Sequence, residues 1–275
     1  MTVDAIQKLS LVTLTSGDVI PLPSVDAQPH IEHLRVIAGC YWNPKIVKRV
    51  VLARTPRHQE GYLVIAILAY DLVFVTQAGA DAWVMLEYDP VGCGHCDAII
   101  LGNRVLVVIE RGGLISWDLN GDPTTPRHTS GPSLGGCSEQ QGNFLALSGD
   151  GGLLMVCVQG DGWVWEYEGV ARNPMTSFNP RSISVWQRDD ATGSWVTVQD
   201  FGNGRSLFLG LAYHFLLDVW TPNGHLKGDR VYIADVVGSQ CIAFNTRNQS
   251  LERISFPVAR VARQRPMWLR PSMCK

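Results

Sequence analysis

The stretch RVLVVIERGGLISWDL (Arg104–Leu119) decides the fold, because it reads as two strands joined by a tight turn. Its first part, Arg104–Glu110, holds an apolar run without alternation, which is typical of a strand that other sheets cover on both sides. Gly112 and Gly113 tolerate the positive φ angles of a tight hairpin. Leu114–Leu119 then reads as the returning strand. The sequence therefore predicts an antiparallel hairpin that lies between neighbouring sheets.

The rest of the chain repeats this pattern of short runs rich in Val, Ile, Leu, Trp and Tyr between glycine turns. Nowhere do ten residues carry a convincing helical stripe, so we predict an all-β chain. The other predicted strands are Ile46–Arg54, Tyr62–Ala69, Leu72–Gln77, Ala82–Leu86, Leu153–Val158, Trp163–Glu168, Ser182–Gln187, Trp195–Asp200, Arg230–Ala234 and Gln240–Asn245.

A weak internal repeat indicates how the strands are arranged. RVLVVIERGGLISWDL from Arg104 resembles RVYIADVVGSQCIAFN from Arg230, at an offset of 126 residues, and AWVML from Ala82 resembles SWVTV from Ser194, at an offset of 112. A four-stranded propeller blade takes roughly 40–45 residues, so both offsets come near three blades. We predict a β-propeller of about six four-stranded blades, with a sandwich or an open barrel as the alternative.

Composition and patterning exclude several classes of protein. The 275 residues are 46% apolar and 17% charged, which is too apolar and too weakly charged for a disordered chain. The longest apolar stretch, Tyr62–Val75, is interrupted by Asp71 and is shorter than the ~18 residues of a membrane helix. The N-terminus does not read as a signal peptide, and the seven cysteines are odd in number and scattered. We expect no membrane partner and a cytoplasmic or nuclear location.

Charge argues against nucleic-acid binding. The net charge is −2, and Arg247–Lys275 holds seven basic residues against Glu252, which leaves −8 on the first 246 residues. Proteins that bind nucleic acid usually carry a basic face over the whole domain. We expect no nucleic-acid partner.

One motif raises the possibility of catalysis. Cys93-Gly94-His95-Cys96 matches the redox site of protein disulfide isomerases, where the first cysteine opens a helix after a strand. Here strand-like residues follow Asp97, so a thiol-redox enzyme that uses Cys93 and Cys96 is kept only as an alternative. A zinc site needs four ligands, and the sequence offers no second cysteine pair. We expect no catalytic residues, no metal and no cofactor.

Several blocks of sequence, in order and with consistent spacing, carry a family resemblance. The most specific is SISVWQRDDATGSWVTVQDFGNGRSLFLG from Ser182, followed by LKGDRVYIAD from Leu226 and PMWLRPS from Pro266. TSGDVIPLP from Thr15 and CDAIILGNRVLVVIERGGLISWDL from Cys96 precede them. Over about residues 11–272 the chain resembles the plant KIB-type β-propeller, a domain of unknown function attached to F-box proteins. It departs from the family at two places, where Val12-Thr13 replaces Asn-Pro and Val105 replaces an aromatic residue.

The resemblance implies a substrate receptor, in which the propeller holds a target protein and an F-box delivers it for ubiquitination. We expect a single propeller domain over residues 9–275 with no F-box, and an incomplete blade at the N-terminus is left open. The Skp adaptor is then not an expected partner, and the target protein is unknown. A truncated, non-functional family member is the alternative.

Candidate protein-binding residues lie near the Thr221–Gly224 turn. Tyr213, His214 and Trp220 are chosen because aromatic residues are favoured at binding hot spots. Tryptophans inside predicted strands, among them Trp117, are expected to be blade core.

Overall fold

A computed structural model gives the structure of the chain. It describes residues 9–12, 17–24, 47–54, 61–68, 72–86, 95–109, 112–122, 124–132, 141–161, 179–202, 204–210, 214–219, 226–234 and 240–255.

Within these ranges every regular element is a strand, which confirms the all-β prediction. No helix there is long and apolar enough to cross a membrane. The strands are β1 (Ser10–Val12), β2 (Val19–Pro21), β3 (Val47–Arg54), β4 (Leu63–Leu68), β5 (Val73–Gln77), β6 (Val84–Leu86), β7 (His95–Leu101), β8 (Arg104–Ile109), β9 (Leu114–Asp118), β10 (Arg127–Thr129), β11 (Gln141–Leu147), β12 (Leu153–Asp161), β13 (Asn179–Arg188), β14 (Trp195–Thr197), β15 (Arg205–Leu209), β16 (His214–Asp218), β17 (Arg230–Ala234), β18 (Gln240–Asn245) and β19 (Leu251–Ser255).

The described strands form four blades of a β-propeller and a separate two-stranded sheet, β1-β2. Blade 1 is β3-β4-β5-β6, blade 2 is β7-β8-β9-β10, blade 3 is β11-β12-β13-β14, and blade 4 is β16-β15-β17-β18-β19. Contacts between the blades join β3 to β7, β7 to β11, and β11 to β16. We call β3, β7, β11 and β16 the inner strands.

The prediction of about six blades differs from the four blades in the described part of the chain. Both sequence repeats span two blades, not three. The Ala82 and Ser194 repeats fall at the outermost strands of blades 1 and 3, and the Arg104 and Arg230 repeats lie in blades 2 and 4. Each blade therefore takes about 56–63 residues here, more than the roughly 40–45 of the blade used for the comparison. The boundaries of a 9–275 domain and the absence of an F-box stay predictions.

The repeated tryptophans have the same structural role. Trp83, just before β6, donates its indole N–H to the carbonyl oxygen of Pro23 (2.8 Å), which follows β2. Trp195, in β14, donates its indole N–H to the carbonyl oxygen of Ser130 (3.1 Å), which follows β10. Each tryptophan thus fastens the outer strand of a blade to the end of the preceding sheet.

Strand β8 is covered on both faces, as its unbroken apolar run predicts. Val105 and Val107 pack in the core between blades 1 and 2, and Leu106 and Val108 pack in the core between blades 2 and 3. The same alternation in β12 builds the core between blades 3 and 4. Successive blades therefore share apolar cores, and burial of these side chains is the main force that stacks them.

Blade 4 departs from the simple order of the other blades. Strand β15 pairs with β16 in antiparallel fashion on one side and with β17 in parallel fashion on the other. The connection from β16 to β17 must therefore pass the beginning of β15. Within this connection the Lys227 N–H donates to the Tyr232 hydroxyl (2.7 Å), which donates to the Lys227 carbonyl oxygen (3.2 Å). The crossover places β16 among the inner strands.

Replacing Tyr232 with phenylalanine tests this anchor. We expect the free energy of unfolding to fall by about 1–2 kcal/mol, because the Lys227 N–H loses its acceptor beside a fully buried ring. Urea unfolding measures the change. Tyr62→Phe is the matched control, since the Tyr62 hydroxyl has no hydrogen bond in the described structure, and it should cost less than 0.5 kcal/mol or so. Equal losses in the two variants would contradict the assignment.

Candidate functional site

The inner strands bring together three charged or titratable side chains that are far apart in the sequence. Arg49 lies on β3, Asp97 on β7 and His214 on β16. Arg49 Nε lies 3.0 Å from Asp97 Oδ1, and His214 Nε2 lies 2.9 Å from Asp97 Oδ2. Arg49 Nη2 lies 2.5 Å from the same His214 Nε2. We call these three residues the inner cluster.

Backbone amides complete the surroundings of the Asp97 carboxylate. The Ala98 N–H donates to Oδ1 (2.7 Å), and the Leu145 N–H, from inner strand β11, donates to Oδ2 (2.7 Å). With Arg49 and His214, the carboxylate is thus contacted from the inner strands of all four described blades. A single acidic side chain connects the blades at the point where they meet.

Two irregular places in the inner strands aim the charged residues. The pairing of β3 with β4 shifts between Val47 and Arg49, and the pairing of β7 with β8 shifts between His95 and Asp97. Each shift is a bulge directly before a cluster residue. Bulges commonly re-aim the side chain that follows them. The bulges therefore belong to the construction of the cluster.

The cluster is almost completely closed to solvent. The exposed fractions of the side chains are 4% for Arg49, 1% for Asp97 and 4% for His214. Burial by itself would raise the pKa of Asp97, but the neighbouring Arg49 and His214 and the Leu145 N–H hold that pKa below its usual value. Asp97 is therefore a carboxylate that carries its charge inside the protein.

Burial acts in the opposite direction on the histidine. It lowers the pKa of His214, and the Arg49 charge lowers that pKa further, while the Asp97 carboxylate raises it and only partly compensates. The His214 Nδ1 accepts the Gly210 N–H (3.2 Å), so the ring proton lies on Nε2 and points to Asp97. The histidine is neutral, and the cluster pairs one guanidinium with one carboxylate.

Arg49 is not fully satisfied by these contacts. Among the described residues its buried Nη1 has no hydrogen-bond partner, and its Nε contact with Asp97 is close without the geometry of a hydrogen bond. Its Nη2 lies against His214 Nε2, which carries the ring proton and so cannot accept from it. The attraction between Arg49 and Asp97 is therefore mainly that of two charges. Such a pair is costly to break, because the remaining charge stays buried and uncompensated.

The structure places the three predicted protein-binding residues differently. Tyr213 and Trp220 lie outside the described residues. His214 is described, and its ring points into the inner cluster and packs edge-to-face on Phe144, with ring centroids 5.2 Å apart. The position of this aromatic residue near a turn predicts a surface contact, and no local sequence pattern indicates its buried partners. Protein binding by these residues stays a prediction.

Of the two cysteines that suggested redox chemistry, Cys93 lies outside the described residues. Cys96 lies within strand β7 and not at the start of a helix. Among the residues whose side chains are described, Cys157 and Cys241 are both buried. Burial raises the pKa of Cys241 to about 12, so this thiol is not reactive at neutral pH.

The four described blades pack around a common set of inner strands, and this arrangement defines a β-propeller. The chain belongs to the KIB1-4 beta-propeller family, whose model matches residues 1–253. The residues that carried the resemblance in the sequence therefore indicated the family correctly.

Solved structures show only distant likeness. The chain is 12% identical to the Cps50 (Swd1) β-propeller domain of Myceliophteria thermophila, with a TM-score of 0.41 over 77% of this chain and 61% of that one. It is 10% identical to the WD40 domain of SCAP from fission yeast, with a TM-score of 0.40 over 91% of this chain and 51% of that one. The chain thus spans less than two thirds of the length of either structure. No curated protein matches the chain.

Proposed function

We propose that the protein is a non-catalytic, protein-binding propeller that holds a target protein, in the manner of the substrate-receptor part of an F-box ubiquitin ligase. The observation that supports this most directly is the inner cluster, which ties four blades to one carboxylate. Blades held in this way form a rigid base on which surface connections can vary, and binding residues are commonly found on such connections. Membership of the propeller family is consistent with this role.

The proposed contact surface includes Tyr213 and Trp220, which precede and follow β16 in the sequence. His214 begins that strand but turns its ring inward, so its contribution is to position the neighbouring connection. We propose a cytoplasmic or nuclear location, an as yet unidentified target protein, and no direct contact with the Skp adaptor, nucleic acid or a membrane.

A binding experiment tests the proposal. The tagged chain is used to capture proteins from a plant extract, and each captured protein is then purified and titrated against the chain. We expect one protein to bind with 1:1 stoichiometry, and we expect Tyr213→Ala combined with Trp220→Ala to weaken that binding at least about tenfold, as substitution at a hot spot does.

The matched control is Asp190→Ala, which changes an exposed residue in the turn before β14 and should leave the affinity unchanged. Binding of the captured protein to the urea-unfolded chain would contradict the proposal, because a propeller receptor must be folded to bind. Direct 1:1 binding of the purified Skp adaptor would contradict the proposed mode of action. The alternative of a non-functional family member predicts that no captured protein binds in the titration.

A further inference from the structure

His214 is the group of the inner cluster that can change charge near neutral pH. The contacts of its ring leave no room for a second proton. His214 Nδ1 already accepts the Gly210 N–H, and Nε2 with its proton lies against Asp97. A proton added to Nδ1 would face the Gly210 N–H, so that hydrogen bond would be lost. It would also place a positive charge next to Arg49 Nη2, which lies 2.5 Å from the ring.

In the described part of the chain, no acid other than Asp97 faces His214 to compensate this charge. Among the described residues, β3 contributes Arg49, β7 contributes Asp97, and β11 contributes only the apolar ring of Phe144 and the backbone of Leu145. On its own strand, Asp218 lies at the other end and pairs with Arg205. Two cations would then share the single Asp97 carboxylate, out of contact with water.

We propose that the inner cluster is an acid-sensitive clasp: when His214 is protonated, inner strand β16 is released from β3 and β7, and blade 4 loosens from the other blades. The clasp is closed at neutral pH, where the cluster holds one positive and one negative charge. It opens on acidification because the second positive charge is repelled by Arg49 and the Gly210 hydrogen bond is broken. Within the inner cluster His214 is the group that titrates in this range, because the pKa of Asp97 is held below its usual value and that carboxylate stays charged there.

The sign of the pH dependence follows from proton binding. The folded protein holds the pKa of His214 below 6.5, the value for an unperturbed histidine, so the unfolded chain binds this proton first. Stability is therefore fully present above about pH 6.5 and falls as the pH decreases from there. The lowered pKa of Asp97 adds a second loss only when the pH falls through about 4 and below.

The test compares urea unfolding at pH 7.5 and at pH 5.0–6.5 for the wild-type chain, His214→Gln and His128→Gln. The glutamine at position 214 does not titrate, and its amide can still donate to Asp97. Below pH 6.5 we expect the wild-type unfolding constant to rise up to about tenfold per pH unit relative to His214→Gln. His128→Gln changes an exposed histidine on β10, and this variant should follow the wild type.

Hydrogen exchange of the wild-type chain provides a readout that does not depend on the variants. We expect the amides of Gly210, Leu145 and β16 to lose protection between pH 7.5 and 5.0, after correction for intrinsic exchange, while β4 at the centre of blade 1 keeps its protection. Equal pH slopes for the wild type and a folded His214→Gln would overturn the proposal. Unchanged protection of β16 in the wild type would overturn it as well, even if the glutamine variant did not fold.

Discussion

Replacement of Asp97 with alanine is expected to lower the free energy of unfolding by about 3–5 kcal/mol. The substitution leaves the Arg49 guanidinium buried without an opposing charge, and the Leu145 and Ala98 N–H groups lose their acceptor. Since folded proteins are stable by only about 5–15 kcal/mol, this loss is a large share of the total. Urea unfolding at pH 7.5 measures it.

Two further variants separate the charge from the size of the side chain. Asp97→Asn keeps the size of the side chain and one carbonyl acceptor. It should still lower the free energy of unfolding by several kcal/mol, because the Arg49 charge remains unpaired. Combining it with Arg49→Met removes both charges, and the double variant should be more stable than the sum of the two single losses predicts. Asp190→Ala, in an exposed turn, is the control and should change stability by less than about 0.5 kcal/mol. Additive losses at positions 49 and 97 would show that the two residues do not act as a pair.

The local features of the fold could be predicted from the sequence because they depend on neighbouring residues. The unbroken apolar run at Val105 indicated a strand covered on both faces, and Val105 and Leu106 do pack in different cores. The Gly112-Gly113 pair indicated a tight turn, and Gly112 has a φ of 79° between β8 and β9. The prediction of about six blades differs from the four blades in the described residues, because the offset of a repeat depends on the length of the connections, which carries no periodic signal.

The inner cluster could not be predicted because its members meet only after the blades have formed. Arg49 and His214 are 165 residues apart, and Leu145 lies 48 residues from Asp97. The aim of Arg49 and Asp97 also depends on two bulges that no turn residue marks. One signal was present in CDAIIL from Cys96: a single acid at the start of an apolar strand must find partners if that strand is buried.

Replacement of Trp117 with alanine is expected to cost about 3–5 kcal/mol, for a reason different from that of Asp97. The Trp117 side chain is 1% exposed and packs in the core between blades 1 and 2, among residues such as Ile65 and Val107. Its removal leaves a cavity between two sheets, and the sheets cannot move together to fill it without disturbing the inner strands. Urea unfolding gives the magnitude of the loss.

Trp195→Ala is the matched control, because the same atoms are removed from a different environment. Trp195 is only partly buried on the edge strand β14, and its indole N–H donates to the carbonyl oxygen of Ser130. We expect this substitution to lower the free energy of unfolding by about 1–2 kcal/mol, because it removes limited apolar burial and a hydrogen bond that water can replace. A loss at Trp195 as large as that at Trp117 would mean that the tryptophan contacts of the outer strands, and not the cores between blades, carry most of the stability. A clear difference would instead show that the cores between blades supply most of the stabilisation that holds the blades together. The outer strands could then change in sequence without loss of the fold.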